Sequence, residues 1–480
     1  MKDNYNAINL SQKLILPNYF SSTIRLFLLK KLVYLDLIIL KKYKQNDFDT
    51  AIKNIKHKYR FNLKILIKII MFYSVFVLLF FRLVKKNFAM GFNLVYGLDS
   101  TQIFRNSNTD NLYNFFNKLF DHPYHNQTYV VETNAINKLL NKNRGIFLSQ
   151  NIDLYLCTSF LTLKQKFRLI LRISCRLFYF LYNVHKYKLL VLIWKQFIFQ
   201  EPLYKLIEEQ VSEANFRLLT TQSEYRNLPF IFEYFKHSIN SIMIWYSANS
   251  VPITYKNEKQ KRVKFATEIY KVLPVKNHLV WTTDHAKYLK SMLPNEINVI
   301  VSGSLMFYVP ENISSNKIYD ITIFDASPYT SSRLDTYQKI PFALNSIYSE
   351  SYIIEFLTDI IETVNWLSTN YNRNLSIAVK YKRGLNSLHS QNYRNFMKKI
   401  ERMENITIVN HETNLYDLIS KSKSVVGFPF VSPAVIAKEM DTPVVYYSSS
   451  DIMATYSKFH GVPVVQSLKG LQRFLKKFLI

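Results

Sequence analysis

Between Lys423 and Tyr447 the chain reads KSVVGFPFVSPAVIAKEMDTPVVYY, a pattern that few folds accommodate. Lys423–Val426 is a short β-branched run. Ser432 followed by Pro433 has the form of a helix start, with serine at the N-cap and proline at the first helical position. A helix over Pro433–Met440 turns Val435, Ile436 and Met440 to one side, and Thr442-Pro443 stops it ahead of a second strand, Val444–Tyr447. Two strands joined through a short helix favour parallel pairing. In such a sheet ligands settle beyond the carboxyl ends of the strands, and the unpaired N–H groups of a helix start attract phosphate. The Phe428–Ser432 loop holds that position.

The same alternation runs through the C-terminal part of the chain. It predicts strand Ile321–Phe324, helix Ser349–Thr369, strand Leu375–Val379, helix Ser387–Glu401, strand Ile406–Val409 and helix Asn414–Ser420 ahead of Ser424–Val426. Upstream, strands are expected at FNLVYGLDS, ending in Asp99, at QTYVVETN, where Glu132 lies near the end, and at Phe216–Thr220 and Ile239–Tyr246. Long helices are expected over Thr162–Gln210. Leu279–Thr282 and Ile297–Val301 bracket a helix beginning near Asp284. The polar, turn-rich segment Pro310–Tyr319 marks a boundary. The expectation is an α/β protein with a basic helical appendage over residues 1–90, a Rossmann-like domain with a long helical insertion over 91–312 and a second Rossmann-like domain over 313–480.

The formal net charge of +28, from 62 Lys and Arg against 34 Asp and Glu, favours an anionic partner, although part of the excess follows a composition rich in Lys, Asn, Ile and Tyr. Nucleic acid fits poorly, because the basic residues mix with aliphatic helices and no base-stacking module is evident. Cys157 and Cys175 have no metal-ligand spacing, and a reducing cytoplasm is the expected compartment. Leu63–Val84 is apolar without charge only from Ile69 to Phe81, shorter than the ~20 residues a spanning helix needs. Bracketed by Lys64, Lys68, Lys85 and Lys86, it suits the headgroup region of an anionic membrane. Phe167–Phe199 repeats the theme with Arg168, Arg172, Arg176, Lys186, Lys188 and Lys195. A peripheral position on the inner face of the cell membrane is therefore expected, and a full span over Leu63–Val84 with Lys68 and Arg82 snorkelling is the alternative.

The segment GFPFVSPAVIAKEMDTPVVYY resembles the signature of the polysaccharide-biosynthesis PFTS-motif proteins, a family related to glycosyltransferases of the two-Rossmann, GT-B type. Pro429, Phe430 and Ser432 match the motif, while Val431 replaces its threonine and removes one hydroxyl. NHLVWTTDHAKYL, VSGSLMF, ITIFDASPY, IAVKYKRG and VNHETNLYDLISKSKSVVG agree in order, and IMIWYSANSVP agrees more loosely. The resemblance covers about the last half of the chain. It implies a GT-B-like fold, a nucleotide-sugar donor as co-substrate, no further cofactor or metal, and a polysaccharide or lipid-linked acceptor.

Residues for that chemistry follow from their positions. Lys380, Lys382 and Arg383 stand at a strand end, where the arginine fork and the lysine charges suit a diphosphate; the resemblance places a Lys-Arg pair there, and a solvated basic turn is the alternative. His411 also follows a strand, as a phosphate or nucleobase ligand or as a loop histidine. Ser432 would touch the diphosphate at its helix start. Glu439 would meet the ribose hydroxyls, as the related enzymes imply, or be plain surface charge. Asp99 and Glu132 are candidates for the base that deprotonates an acceptor, or simply turn-forming carboxylates. Trp245, Tyr246, Ser247 and Asn249 form a polar-aromatic edge suited to sugar. The function expected is transfer of sugar from a nucleotide donor to a polysaccharide or its lipid-linked precursor. Epimerisation or hydrolysis of a nucleotide sugar, or a non-catalytic scaffold at the membrane, are the alternatives.

Overall fold

Short β-branched runs between capped helices produce two largely parallel sheets. The computed structural model describes residues 67–74 in part, 92–96, 128–132, 146–149, 161–183, 194–209, 216–221, 228–236, 240–248, most of 273–328, 349–449 except a few positions between 383 and 388, and 457–480. Asp99, Arg383 and Asn249 lie outside them, as does most of the N-terminal appendage. Glu132 is the last residue of its strand, as expected.

In chain order the elements begin with β1 (Phe92–Tyr96), β2 (Thr128–Glu132), β3 (Ile146–Ser149), α1 (Leu163–Asn183), α2 (Glu201–Glu208), β4 (Phe216–Thr221), α3 (Phe230–Tyr234) and β5 (Asn240–Ile244). These form a first compact unit. Its strands lie in the order β3-β2-β1-β4-β5, with every adjacent pair parallel. Ahead of α2 the helix widens into a π turn over Gln196–Gln200, where Glu201 N donates to Gln196 O. Pro202 has no N–H for a regular helical bond, which favours such a local change of winding. Tyr204 anchors the core of this unit, with its ring centroid 6.0 Å from Phe230, 5.6 Å from Tyr234 and 5.7 Å from Phe235.

β6 (Asn277–Val280), α4 (Thr283–Lys290) and β7 (Asn298–Val301) follow, then β8 (Tyr319–Phe324), α5 (Glu350–Tyr371), β9 (Ile377–Lys380), α6 (Gln391–Ile400), β10 (Ile406–Val409), α7 (Leu415–Ser420) and β11 (Ser422–Gly427). The chain ends with α8 (Ser432–Glu439), β12 (Val444–Tyr447), β13 (Lys458–Phe459), β14 (Val462–Val465) and α9 (Leu468–Leu479). Residues 245–271 and 278–480 belong to the second unit.

Its large sheet has the order β10-β9-β8-β11-β12-β14-β13, parallel throughout except for the closing β13–β14 hairpin. From β8 the chain runs outward to β9 and β10, then returns to place β11 on the other side of β8. This reversal is a topological switch point, where the loops at the strand ends part and leave a crevice. Ile321, Ile323, Ile377, Val379, Val425, Val426, Val445 and Tyr446 are all fully buried, as strands covered on both faces require. Side chains pack the helices at helical spacing: Ile353, Phe356, Leu357, Ile360, Val364 and Leu367 of α5 are fully buried. Each such side chain contributes about 1.5–3 kcal/mol. Local capping sets the helix starts, with Ser349, Ser390, Asn414 and Ser467 accepting from backbone N–H groups of α5, α6, α7 and α9.

Candidate functional site

The turn leaving β11 is tight because Gly427 has no side chain: a Cβ there would lie 3.0 Å from Ala434 Cβ and 3.1 Å from Val431 Cγ2. Phe428 N then donates to Phe324 O at 2.9 Å, tying the turn to the end of β8. Phe430 takes φ 65°, an unusual conformation for a side chain of its size. Its buried ring sits 4.2 Å from that of Phe459. Val431, not Ser432, is the N-cap of α8, and it makes no side-chain cap bond. The expected serine cap is thereby corrected: Ser432 is already helical, and Tyr446 Oη donating to Val431 O at 3.2 Å helps hold the preceding residue in extended geometry.

The hydroxyl of Ser432 is therefore free of capping and serves another partner. It accepts from Ala248 N at 2.9 Å and lies 3.1 Å from Ser247 Oγ. On its other side Ala248 O meets His460 Nε2 at 3.0 Å, while His460 Nδ1 lies 2.7 Å from Thr282 Oγ1. A carbonyl only accepts, so Nε2 carries the proton and Nδ1 accepts from threonine; Thr282 Oγ1 in turn accepts from His285 N at 3.2 Å. His460 N also donates to Asp284 Oδ2 at 2.8 Å. Burial pushes the His460 imidazole down to about 4, against the opposing pull of the Ala248 bond and Asp284. Burial likewise takes His285 to about 3, with further help from His460 and His278.

Trp245 is a core residue and not the sugar platform expected of it: it is 1% exposed, and its indole Nε1 donates to His278 Nδ1 at 3.1 Å. Its backbone oxygen accepts from Trp281 Nε1 at 2.7 Å, which seals the same core. Tyr246 is half-buried beside it.

At the far end of α8, Glu439 reaches the loop after β7. Ser304 Oγ donates to Glu439 Oε2 at 3.2 Å and lies 2.5 Å from Tyr416 Oη. Gly303 has φ 73°, and a Cβ on it would stand 3.4 Å from Glu439 Oε1. Loss of hydration around this carboxyl pushes its pKa above the usual carboxylate range, against the pull of the Ser304 bond.

The basic strand end divides into an inner and an outer part. Lys380 is buried, and its ammonium donates to His411 O at 2.6 Å, so this charge braces the loop after β10. Lys382 is exposed, while its backbone N donates to Asp325 Oδ1 at 3.1 Å. Asp325 is buried and also accepts from Tyr393 Oη. Burial raises its pKa in spite of those bonds and of the nearby lysines. His411 is exposed and its ring lies against Gly384, where a Cβ would be 3.1 Å from His411 Cε1.

The model of the family described as polysaccharide biosynthesis PFTS motif proteins matches residues 184–475, more than half of the chain. The protein belongs to this family. No curated protein matches it in sequence. Among solved structures it is similar to UDP-GlcNAc 2-epimerase from Methanocaldococcus jannaschii, at 9% identity and TM-score 0.40, over 81% of this chain and 93% of that one. The wall teichoic acid polymerase TagF, solved with CDPG, is 9% identical with TM-score 0.39 over 91% of each chain. The pneumococcal O-GlcNAc transferase GtfA, solved with UDP and GlcNAc, is 9% identical with TM-score 0.34 over 59% of this chain. The protein spans about half of that transferase, 53% of its length.

Within this PFTS protein the motif loop and the exposed basic strand end lie along the carboxyl edge of one sheet, while Glu439 closes α8 on the return toward β12. Asp325, Thr282, Asp284, Ser304, Tyr416 and His460 were not anticipated. Asp325 had a legible signal, a carboxylate directly after a strand in ITIFDASPY. The others act through contacts between segments far apart in sequence.

Proposed function

We propose that this PFTS protein is a glycosyltransferase of GT-B type that transfers sugar from a nucleotide-sugar donor to a polysaccharide or lipid-linked acceptor. The observation that carries this reading is the placement of Lys382, His411 and the Phe428–Ser432 loop beyond the carboxyl ends of β9, β10 and β11, around a switch point. Lys382, Arg383 and His411 would neutralise the departing diphosphate, and Glu439 would accept from the ribose hydroxyls. Ser432 acts as a positioning residue, since its hydroxyl holds Ala248. Lys380 acts from beneath, through His411. Asp99 and Glu132 remain the proposed candidates for the acceptor's general base, and Tyr246 and Asn249 for acceptor contacts.

No metal or cofactor enters the proposed step. The protein would work at the inner membrane surface, where lipid-linked acceptors reside. Incubation of the purified protein with a panel of radiolabelled nucleotide sugars and membrane-derived acceptors, with and without a chelator, tests the reading. The expected result is acceptor-dependent release of nucleoside diphosphate that survives chelation. Donor breakdown at the same rate without acceptor would overturn transfer, and failure to bind any nucleotide sugar would overturn the site.

A further inference from the structure

α1 carries an exposed apolar stripe. Leu163, Phe167, Leu171, Phe178 and Tyr182 recur at spacings that share one helical face, and they are 59%, 56%, 70%, 74% and 86% exposed. A neighbouring helical stretch extends the patch with exposed Ile67, Ile70 and Met71, and it is joined to α1 through Tyr73 Oη and Ser174 Oγ at 2.9 Å. The opposite side of α1 is ordinary core, with Leu169, Ile173 and Phe180 fully buried.

Beside this stripe lies a hollow of about 310 Å³ lined by Leu171, Arg172, Cys175, Arg176, Pro202 and Lys205. Its cations are not all spent on internal pairs. Arg176 is bound to Glu201 and to Phe197 O, but Arg172 Nη1 is buried without a hydrogen-bond partner among the described residues. Lys205 is exposed, and no ion pair is found for it among them. α1 has five Lys and Arg and no Asp or Glu. A large exposed apolar patch marks an interaction site. A second copy of the chain would bring this basic rim against itself, so charge complementarity selects an anionic lipid surface.

We propose that this face is the membrane-docking surface, with Phe167, Leu171, Phe178 and Tyr182 inserted among acyl chains and a lipid phosphate held in the hollow by Arg172 and Lys205. This rests on the peripheral membrane reading but not on the assignment of a transferase reaction. Flotation of the full chain with vesicles of phosphatidylglycerol and phosphatidylcholine, against phosphatidylcholine alone, tests it. Wild type should float with the anionic vesicles and be released substantially by high salt. A triple variant, Phe167→Ser with Leu171→Ser and Phe178→Ser, should lose at least tenfold in affinity. R172A and K205A should each lose about fivefold, as expected for one basic group at an anionic surface. Circular dichroism and thermal unfolding of the triple variant and K205A should match wild type, because the replaced groups are on the surface, and both should report a folded chain for R172A.

Failure of wild type to float with either vesicle would overturn the peripheral reading altogether. Unimpaired flotation of the triple and basic variants would overturn this face while leaving membrane binding to another segment, such as Leu63–Val84.

Discussion

Ser432 and Ala248 stand 184 residues apart in the chain, and the serine hydroxyl accepts the alanine N–H at 2.9 Å. Ala248 is fully buried, so its amide has no water to turn to. Ser432→Ala should therefore cost about 1–3 kcal/mol, the penalty for an orphaned buried donor. Chemical denaturation measures it, and an unchanged unfolding midpoint would show that the bond contributes nothing.

The cap position separates helix stability from that contact. Val431 has the extended geometry of an N-cap but no side-chain oxygen to offer, and with Pro433 lacking an N–H the donor within reach is Ala434 N, which donates to Val431 O at 3.2 Å and would share its hydrogen with a side-chain cap. Val431→Thr, which restores the family's residue, should stabilise the protein by about 0.5–1 kcal/mol. A lower melting temperature in this variant would mean that the hydroxyl is buried without satisfaction.

The buried imidazoles predict an acid-sensitive fold. His460 and His285 sit at about 4 and about 3 in the folded chain, below the ~6.5 of an unfolded histidine. A depressed histidine leaves the unfolded chain binding more protons, so its stabilising share is full above the unfolded pKa and falls as pH drops toward the folded one. His460 alone should cost about 2–3 kcal/mol by about pH 4.5. Urea unfolding across this range should show the loss, and His460→Gln should flatten it. An identical slope in that variant would count against the assignment.

Asp325 offers a test of how the basic strand end is held. Asp325→Asn keeps one oxygen acceptor but not the pair that serves Tyr393 Oη and Lys382 N. We expect a stability loss of about 1–3 kcal/mol together with weaker donor binding. Equal donor affinity would show that the loop after β9 keeps its shape without this anchor.

The parallel core was legible because its signals are local. β10 and β12 coincide with the β-branched runs Ile406–Val409 and Val444–Tyr447, and Ser349 and Asn414 cap the helices that their types suggested. Ser432 misled for an instructive reason. Ser-Pro has the form of a cap, but the positive φ of Phe430 and the Tyr446 bond place the cap one residue earlier. The β13–β14 hairpin was overlooked, although His460 and Gly461, with φ 54° and 78°, make a two-residue turn of the kind that residues tolerant of positive φ favour. Trp245 read as a sugar platform from its neighbours, whereas the partners of its indole come from β6 and lie beyond local pattern.

A nucleoside diphosphate should bind at the carboxyl edge of the second sheet, and calorimetry of wild type, Arg383→Ala and Glu439→Gln with a panel of nucleoside diphosphates measures this. Wild type should bind at least one nucleotide. Arg383→Ala should lose about 1.5–3 kcal/mol, the usual worth of a hydrogen bond to a charged group, and Glu439→Gln should show a measurable loss. Absence of binding to wild type, or equal affinity in both correctly folded variants, would contradict this placement of the site.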